Sequence, residues 1–346
     1  MDKILELLVE DENCLSSLEI RNCEKVDALK LEKLIPNLKS LVLMDRTGHD
    51  YFFRSPGSLA SIVERIARSD NSLEKLLIHH NELDKIDDEL VSDAFCKARE
   101  IETTSTMSKA QMGLMFTKIA GGRSNIRKLF VEEWGKIQID YTQINPELYT
   151  LAISKIKELK MDFASKEHAE MLFELLAKNT GQLKSLTFTD SLSIEDTKTL
   201  AKVVCNLEKV FFEFDISEDL QTSIFRTIAD EKVAKLKTLH LQSAIKCSDI
   251  KAFIRATLKL KDIYFIIGET LVAKSVENLL LDSILEEENC NLRSVTLIFR
   301  NPKFYFNNKK LFQYPEEKLK RIKQRIGKLN IYYSPFCRGG FERIFS

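Results

Sequence analysis

The residues able to catalyse or to ligate a metal are few, and their spacing suits neither task. Five histidines (His49, His79, His80, His168, His240) show no metal-ligand spacing, and the adjacent His79 and His80 project to different sides of the chain. Seven cysteines (Cys14, Cys23, Cys96, Cys205, Cys247, Cys290, Cys337) are odd in number and never form a Cys-x-x-Cys pair. They therefore read as small buried hydrophobes in a reducing compartment, rather than as a disulfide framework or a zinc site. No Gly-x-Ser-x-Gly elbow, His-Glu-x-x-His helix or glycine-rich phosphate loop occurs. Acid runs such as Asp87-Asp88 and Glu286-Glu287-Glu288 read as solvated helix ends rather than general acids. The expectation is a non-catalytic chain with no cofactor, no metal and no small-molecule substrate. What remains is noncovalent recognition, and its carriers recur at fixed places in a repeat.

The recurring unit is Leu-x-x-Leu-x-Leu, with strong copies at Leu15/Leu18/Ile20, Leu38/Leu41/Leu43, Leu73/Leu76/Ile78, Ile126/Leu129/Val131 and Ile156/Leu159/Met161. It continues as Leu183/Leu186/Phe188, Leu207/Val210/Phe212, Leu236/Leu239/Leu241, Leu260/Ile263/Phe265 and Leu292/Val295/Leu297, with weaker copies at Ala98/Ile101/Thr103 and Ile326/Leu329/Ile331. Twelve starts between 15 and 326 give eleven steps, a mean of about 28 residues. The last two apolar positions stand two apart, so they share one side of a short strand while the residue between them faces the other way. Each triplet leads through a polar stretch into helical spacing, as at Ala169, Leu172, Phe173 and Leu176. There Ser165 stands at the N-cap place and Gly181 at the C-terminal stop; Ser193-x-x-Asp196 resembles a capping box for the next helix. Starts 15, 73, 126, 183, 236 and 292 also define a longer period, in which turn-rich links alternate with short ones and the unit is a pair of repeats. One helix–strand pair cannot bury its own apolar face, but stacked pairs share a continuous core.

These residues resemble the ribonuclease-inhibitor-like class of leucine-rich-repeat proteins over nearly the whole chain. The fullest match is Leu73-x-x-Leu76-x-Ile78-x-x-Asn81-x-Leu83, and Cys23 stands at the asparagine place of the first repeat. Elsewhere that place holds Arg46, Thr106, Trp134, Ala164, Ser191, Asp215, Ala244, Gly268, Arg300 and Ser334, a large departure from the family pattern. The resemblance implies an α/β leucine-rich-repeat solenoid, or horseshoe, of about twelve repeats, with parallel β-strands on the concave face and α-helices on the convex face. It implies protein binding on the concave face. With the first triplet at Leu15, no F-box helical module is expected before the repeats, and no Gly-x-x-x-x-Gly-Lys-Ser/Thr string of the kind carried by nucleotide-binding immune receptors occurs.

With 52 basic and 52 acidic residues among 346, the chain is formally neutral, and 44% hydrophobic content is enough for a core. The apolar runs, such as Ile263–Ile267, are far shorter than a membrane span, and acids interrupt the N-terminus where a secretory signal needs an apolar centre. An intracellular protein is expected, cytoplasmic or nuclear, forming a single domain over 1–346 whose residues 300–346 make a basic, aromatic-rich C-terminal cap. The central concave position runs Glu19, Val42, Leu77, Glu102, Phe130, Lys160, Thr187, Phe211, His240, Tyr264, Thr296 and Asn330. From it Leu77, Phe130, Lys160, Phe211, His240 and Tyr264 are the candidate partner-binding residues, because aromatic groups on a wet face mark an interface. A register slipped by one would instead send the rings into the core. Flanking charges (Lys128 and Glu132, Glu158 and Asp162, Lys209 and Glu213) could orient a partner. Residues 300–346 hold twelve Lys or Arg against three Glu. There Lys318, Arg321, Lys323 and Arg325 form an alternative patch for nucleic acid or an anionic surface, the other reading being a cap with solvated charge. An adaptor role in a ubiquitin ligase is a further alternative.

Overall fold

Alternating apolar residues become strands here because each has a neighbour carrying the same pattern to pair with. The computed structural model describes residues 15–21, 28–44, 57–71, 73–79, 83–103, 107–131, 144–160, 166–178, 181–189, 197–231, 235–267, 271–300, 314–334 and 342–345. The chain divides into two compact units, residues 1–175 with 180–183, and residues 176–179 with 184–346. In the first, β1 (Ser17–Ile20), α1 (Ala28–Leu34), β2 (Ser40–Met44), α2 (Gly57–Arg68), β3 (Lys75–His79) and α3 (Asp88–Lys97) follow one another. Then come β4 (Glu100–Thr103), α4 (Lys109–Ala120), β5 (Lys128–Val131), α5 (Pro146–Ser154), β6 (Glu158–Lys160) and α6 (Lys166–Ala177). The second holds β7 (Ser185–Phe188), α7 (Thr197–Asn206), β8 (Lys209–Phe212), α8 (Glu218–Asp230), β9 (Thr238–Ala244) and α9 (Ile250–Lys259). It continues through β10 (Asp262–Ile267), α10 (Leu271–Glu286), β11 (Ser294–Arg300), α11 (Glu316–Ile326), β12 (Lys328–Ser334) and β13 (Glu342–Phe345).

Strands β1 to β6 pair in order, all parallel, as do β7 to β12. Every triplet lines up with the next. Leu18, Leu41, Leu76, Ile101, Leu129 and Leu159 are successive partners in the first unit, and Leu186, Val210, Leu239, Ile263, Val295 and Leu329 in the second. Each unit is thus a run of α/β leucine-rich-repeat solenoid. The third triplet position is buried throughout the described residues; Thr103 is the polar member of that column. Helices pack against this side of the sheet, for Phe225 of α8 and Phe253 of α9 meet the ring of Phe265 in β10 at 6.0 and 5.7 Å. The partner rings Phe188 and Phe212 stack face to face at 4.7 Å.

Local sequence sets the helix starts. Asp87 caps α3 through the Leu90 amide at 3.0 Å, and Asn145 precedes a proline at the first position of α5. Ser108 and Gln111 form a reciprocal capping box on α4. The Gln111 amide nitrogen also donates to the carbonyls of Leu83 and Ile86, satisfying backbone left over from the preceding link. The caps proposed at Ser165 and Ser193-x-x-Asp196 lie outside the described residues, as does most of the asparagine column, including Cys23 and Asn81.

The longer period is structural. Helices α2, α4, α6, α8 and α10 run to 12, 12, 12, 13 and 16 residues, against 10, 9, 10, 10 and 11 for α3, α5, α7, α9 and α11. The long helices are followed by long links such as 121–127 and 287–293, the short ones by links such as 98–99 and 260–261. Each short helix ends in a donor that reaches back to the C-terminal carbonyls of the long helix before it. Lys97 reaches Ser69, Lys155 reaches Ala120, and Asn206 donates to Leu176 and Ala177. Lys259 donates to Ile228 and Glu231 at 3.1 and 3.0 Å, and Arg325 reaches Leu285 and Glu287. These groups satisfy orphan carbonyls and, where cationic, complement the helix dipole. Gly181 turns at φ 139° where a Cβ would meet the Ser154 carbonyl at 3.3 Å. At that turn Gln182 donates its amide to the same carbonyl.

One element departs from the expected all-parallel order. Strand β13 returns antiparallel along β12, pairing Tyr332 with Arg343 and Tyr333 with Glu342. A short antiparallel strand covers donors and acceptors that a terminal parallel strand would leave open. No leucine triplet announces it.

Candidate functional site

The residues between the two buried triplet positions form the open face of the strand layer, on the side away from the helices. In the first unit their successive partners are Glu19, Val42, Leu77, Glu102, Phe130 and Lys160. In the second they are Thr187, Phe211, His240, Tyr264, Thr296 and Asn330. The sequence register is therefore the observed one. Phe130, Lys160, Phe211, His240 and Tyr264 are half-buried, and Leu77, at 8% exposure, is nearly closed over.

The structure brings three of the six candidates together. The Phe211 and His240 rings meet edge-on at 4.5 Å, and His240 stacks on Tyr264 at 4.9 Å with a 26° tilt. Parallel pairing in register places one ring on each of β8, β9 and β10, a rung apart, so contact follows directly from the pattern. Burial pushes the His240 imidazole below its ordinary pKa, opposed by the carboxylate of Asp262. The ring is thus held toward its neutral form, which suits an apolar contact surface. Beside the column, Thr238 donates its hydroxyl to Asp262 at 3.3 Å, and farther along Asn330 donates to the Thr296 hydroxyl at 3.4 Å.

Phe130 stands apart from this cluster, in another unit and between Glu102 and Lys160. The flanking residues around it form a ladder of alternating charge that single-strand reasoning missed. Lys75 bridges Glu100 at 3.3 Å and Glu102 at 2.9 Å; Lys128 bridges Glu100 at 3.6 Å and Glu158 at 3.5 Å. Burial works against the Lys75 ammonium, but Glu102 and Glu100 together hold its pKa above the usual value. The signal lay in the residue before the middle apolar position of each triplet, read across repeats. Lys128 and Glu158 thus orient each other, and their proposed companions Glu132 and Asp162 lie outside the described residues.

Of the C-terminal basic residues, Lys318 and Arg325 are tied into the fold. Lys318 bridges Asp282 at 2.9 Å, an aspartate that also accepts from the Tyr314 hydroxyl at 2.6 Å, and Arg325 holds the carbonyl end of α10. The Tyr314 hydrogen bond, followed by that of Lys318, keeps the Asp282 carboxyl below its ordinary value. Arg321 and Lys323 are exposed on α11. No group of three or more potential metal ligands occurs among the described residues, and no described helix is long and apolar enough to cross a membrane.

No protein-family model matches the sequence, and no curated protein matches it. Among solved structures, the chain is similar to the leucine-rich repeat-containing protein LegL7 from Legionella pneumophila. The two are 13% identical with a TM-score of 0.44, over 79% of this chain and 93% of that one.

Proposed function

We propose that this chain is a non-catalytic recognition scaffold that binds a protein partner on the open face of its strand layer, centred on Phe211, His240 and Tyr264. The observation that carries this reading is the half-exposed column of three contacting rings, held by strands whose other face is a fixed core. Rings that already stack lose little side-chain freedom when a partner covers them, and aromatic anchors supply most of the affinity at protein interfaces. Recognition on a preformed surface needs no reactive group.

The helices in every repeat favour a scaffold of the ribonuclease-inhibitor-like kind. Cys96, Cys205 and Cys247 are free and buried, which favours a reducing, intracellular site of action. The repeat period passes through residues 156–188 without a break, and we read 1–346 as one repeat domain whose C-terminal cap includes β13. The test compares the intact protein with the double variant Phe211→Ala/Tyr264→Ala in affinity purification with mass spectrometry, alongside thermal melts. Loss of specific partners at a nearly unchanged melting temperature supports the reading. Unchanged capture, or collapse of the melting temperature, defeats it.

A further inference from the structure

One run of cations on the sheet is unneutralised. The residue after the first apolar position of each triplet lies at the N-terminal end of its strand, beside the open face. In the first unit three successive rungs put Arg99, Arg127 and Lys157 at this place, all exposed. They are direct neighbours, since the Arg127 amide donates to the Arg99 carbonyl and the Lys157 amide to the Arg127 carbonyl, both at 2.7 Å. Rungs of a sheet stand about 4.8 Å apart, so three cations start within about 10 Å of one another. Among the described residues none of the three side chains has an ion-pair or hydrogen-bond partner, and Glu74, a rung earlier, makes no ion pair.

Two comparisons within the molecule make this arrangement informative. One residue farther along the same strands, every cation is bridged by an acid on the next rung. At the equivalent column of the second unit, Glu208 sits between Lys184 and Lys237 and bridges both, at 2.8 and 2.7 Å. Hydrogen bonds from Lys184 and Lys237 draw its carboxyl down to about 2. Like charges on neighbouring rungs repel; Lys237, Lys261 and Arg293 also follow one another in the second unit, but Glu208 bridges the first of them, so among the described residues a run of three unbridged cations occurs at Arg99, Arg127 and Lys157. A partner that brings its own carboxylates would complete the alternation.

We propose that Arg99, Arg127 and Lys157 form a docking strip for an acidic polypeptide segment, one that presents carboxylates along one side. Acids one turn apart on a helix recur every 5–6 Å or so, close to the rung spacing, and the two guanidinium forks match carboxylate geometry. A nucleic-acid strand fits less well. Phe130 is the one aromatic ring at the central open-face position of this unit, too few to stack successive bases. The strip lies in the other unit from the ring column, so the two readings stand or fall separately.

The experiment titrates the full chain with a fluorescein-labelled dodecaglutamate peptide at low salt and follows anisotropy, with a labelled twelve-residue oligothymidylate as competitor class. Arg99→Gln/Arg127→Gln/Lys157→Gln is expected to weaken peptide binding about tenfold or more, as loss of three exposed ion pairs should. The charge-matched control Lys202→Gln/Lys251→Gln/Arg255→Gln, on exposed helix positions, should change it less than about twofold. The charge-preserving Arg99→Lys/Arg127→Lys should retain most of the binding, which guards against misfolding as the cause. Equal losses in the strip variant and the control, no binding by the unaltered protein, or tighter binding of the oligothymidylate would each overturn the proposal.

Discussion

The open faces of the two units are built on the same backbone and the same buried leucines, yet they show opposite chemistry. On β3 to β6 the face is a ladder of lysines and glutamates that bridge each other across successive strands. On β8 to β10 it is a ladder of rings. A partner covering the first must compete with ion pairs already formed; one covering the second meets half-buried rings already stacked on one another. Fold alone therefore says little about where a repeat protein binds. The side chains on either side of the middle apolar position in each rung decide it.

If the difference is confined to that face, the layer beneath should respond alike in both units. Leu129→Ala and Leu239→Ala, each emptying a fully buried site, should cost about 3 kcal/mol apiece in urea unfolding. A loss in one but not the other would mean the cores differ too. The faces themselves should part company in binding. Phe211→Ala should weaken partner capture about tenfold, whereas Phe130→Ala should change it less than about threefold, read by surface-immobilised partner titration. Equal effects would erase the distinction. A smaller effect, about 0.5–1 kcal/mol of stability, is expected for Lys128→Met, which leaves Glu100 and Glu158 each with one bridge fewer. Raising the salt to 0.5 M should shrink that loss, while the Phe211→Ala stability change should hardly respond. The smallest signal is a pH dependence at His240. Its folded pKa lies below the ordinary value, so the unfolded chain takes up a proton first as pH falls. Stability should then be complete above about pH 6.5 and decline below it, and His240→Gln should flatten that decline in melts run from pH 7.5 to 5.

Much of this was legible in the sequence. The triplets gave strand position, pairing partner and face at once, because a period of two admits one register when one side must be buried. Even the weak copy Ala98/Ile101/Thr103 is fully buried. Aligning the triplets also put Phe211, His240 and Tyr264 in one column, though their mutual contact emerged only from the structure. The charge ladder was hidden for a different reason: Lys75 and Glu100 are 25 positions apart, and reading strands singly never sets them side by side. Nor could pattern reveal β13, whose Glu-Arg-Ile-Phe carries no repeat signature. The clasp of Lys155 on Ala120 needs a long side chain to span 35 positions, which no local rule specifies.

That clasp has a bearing on how such a chain could grow or shrink over time. Donors sit on the short helices and the carbonyl ends they serve sit on the long ones, so the two kinds must alternate. Copying or deleting one helix–strand module would set two of a kind next to each other, stranding a lysine or exposing a bare helix terminus. Ancestral duplications that survived should have come in even numbers, and an engineer shortening this protein should cut from one long helix to the next long helix.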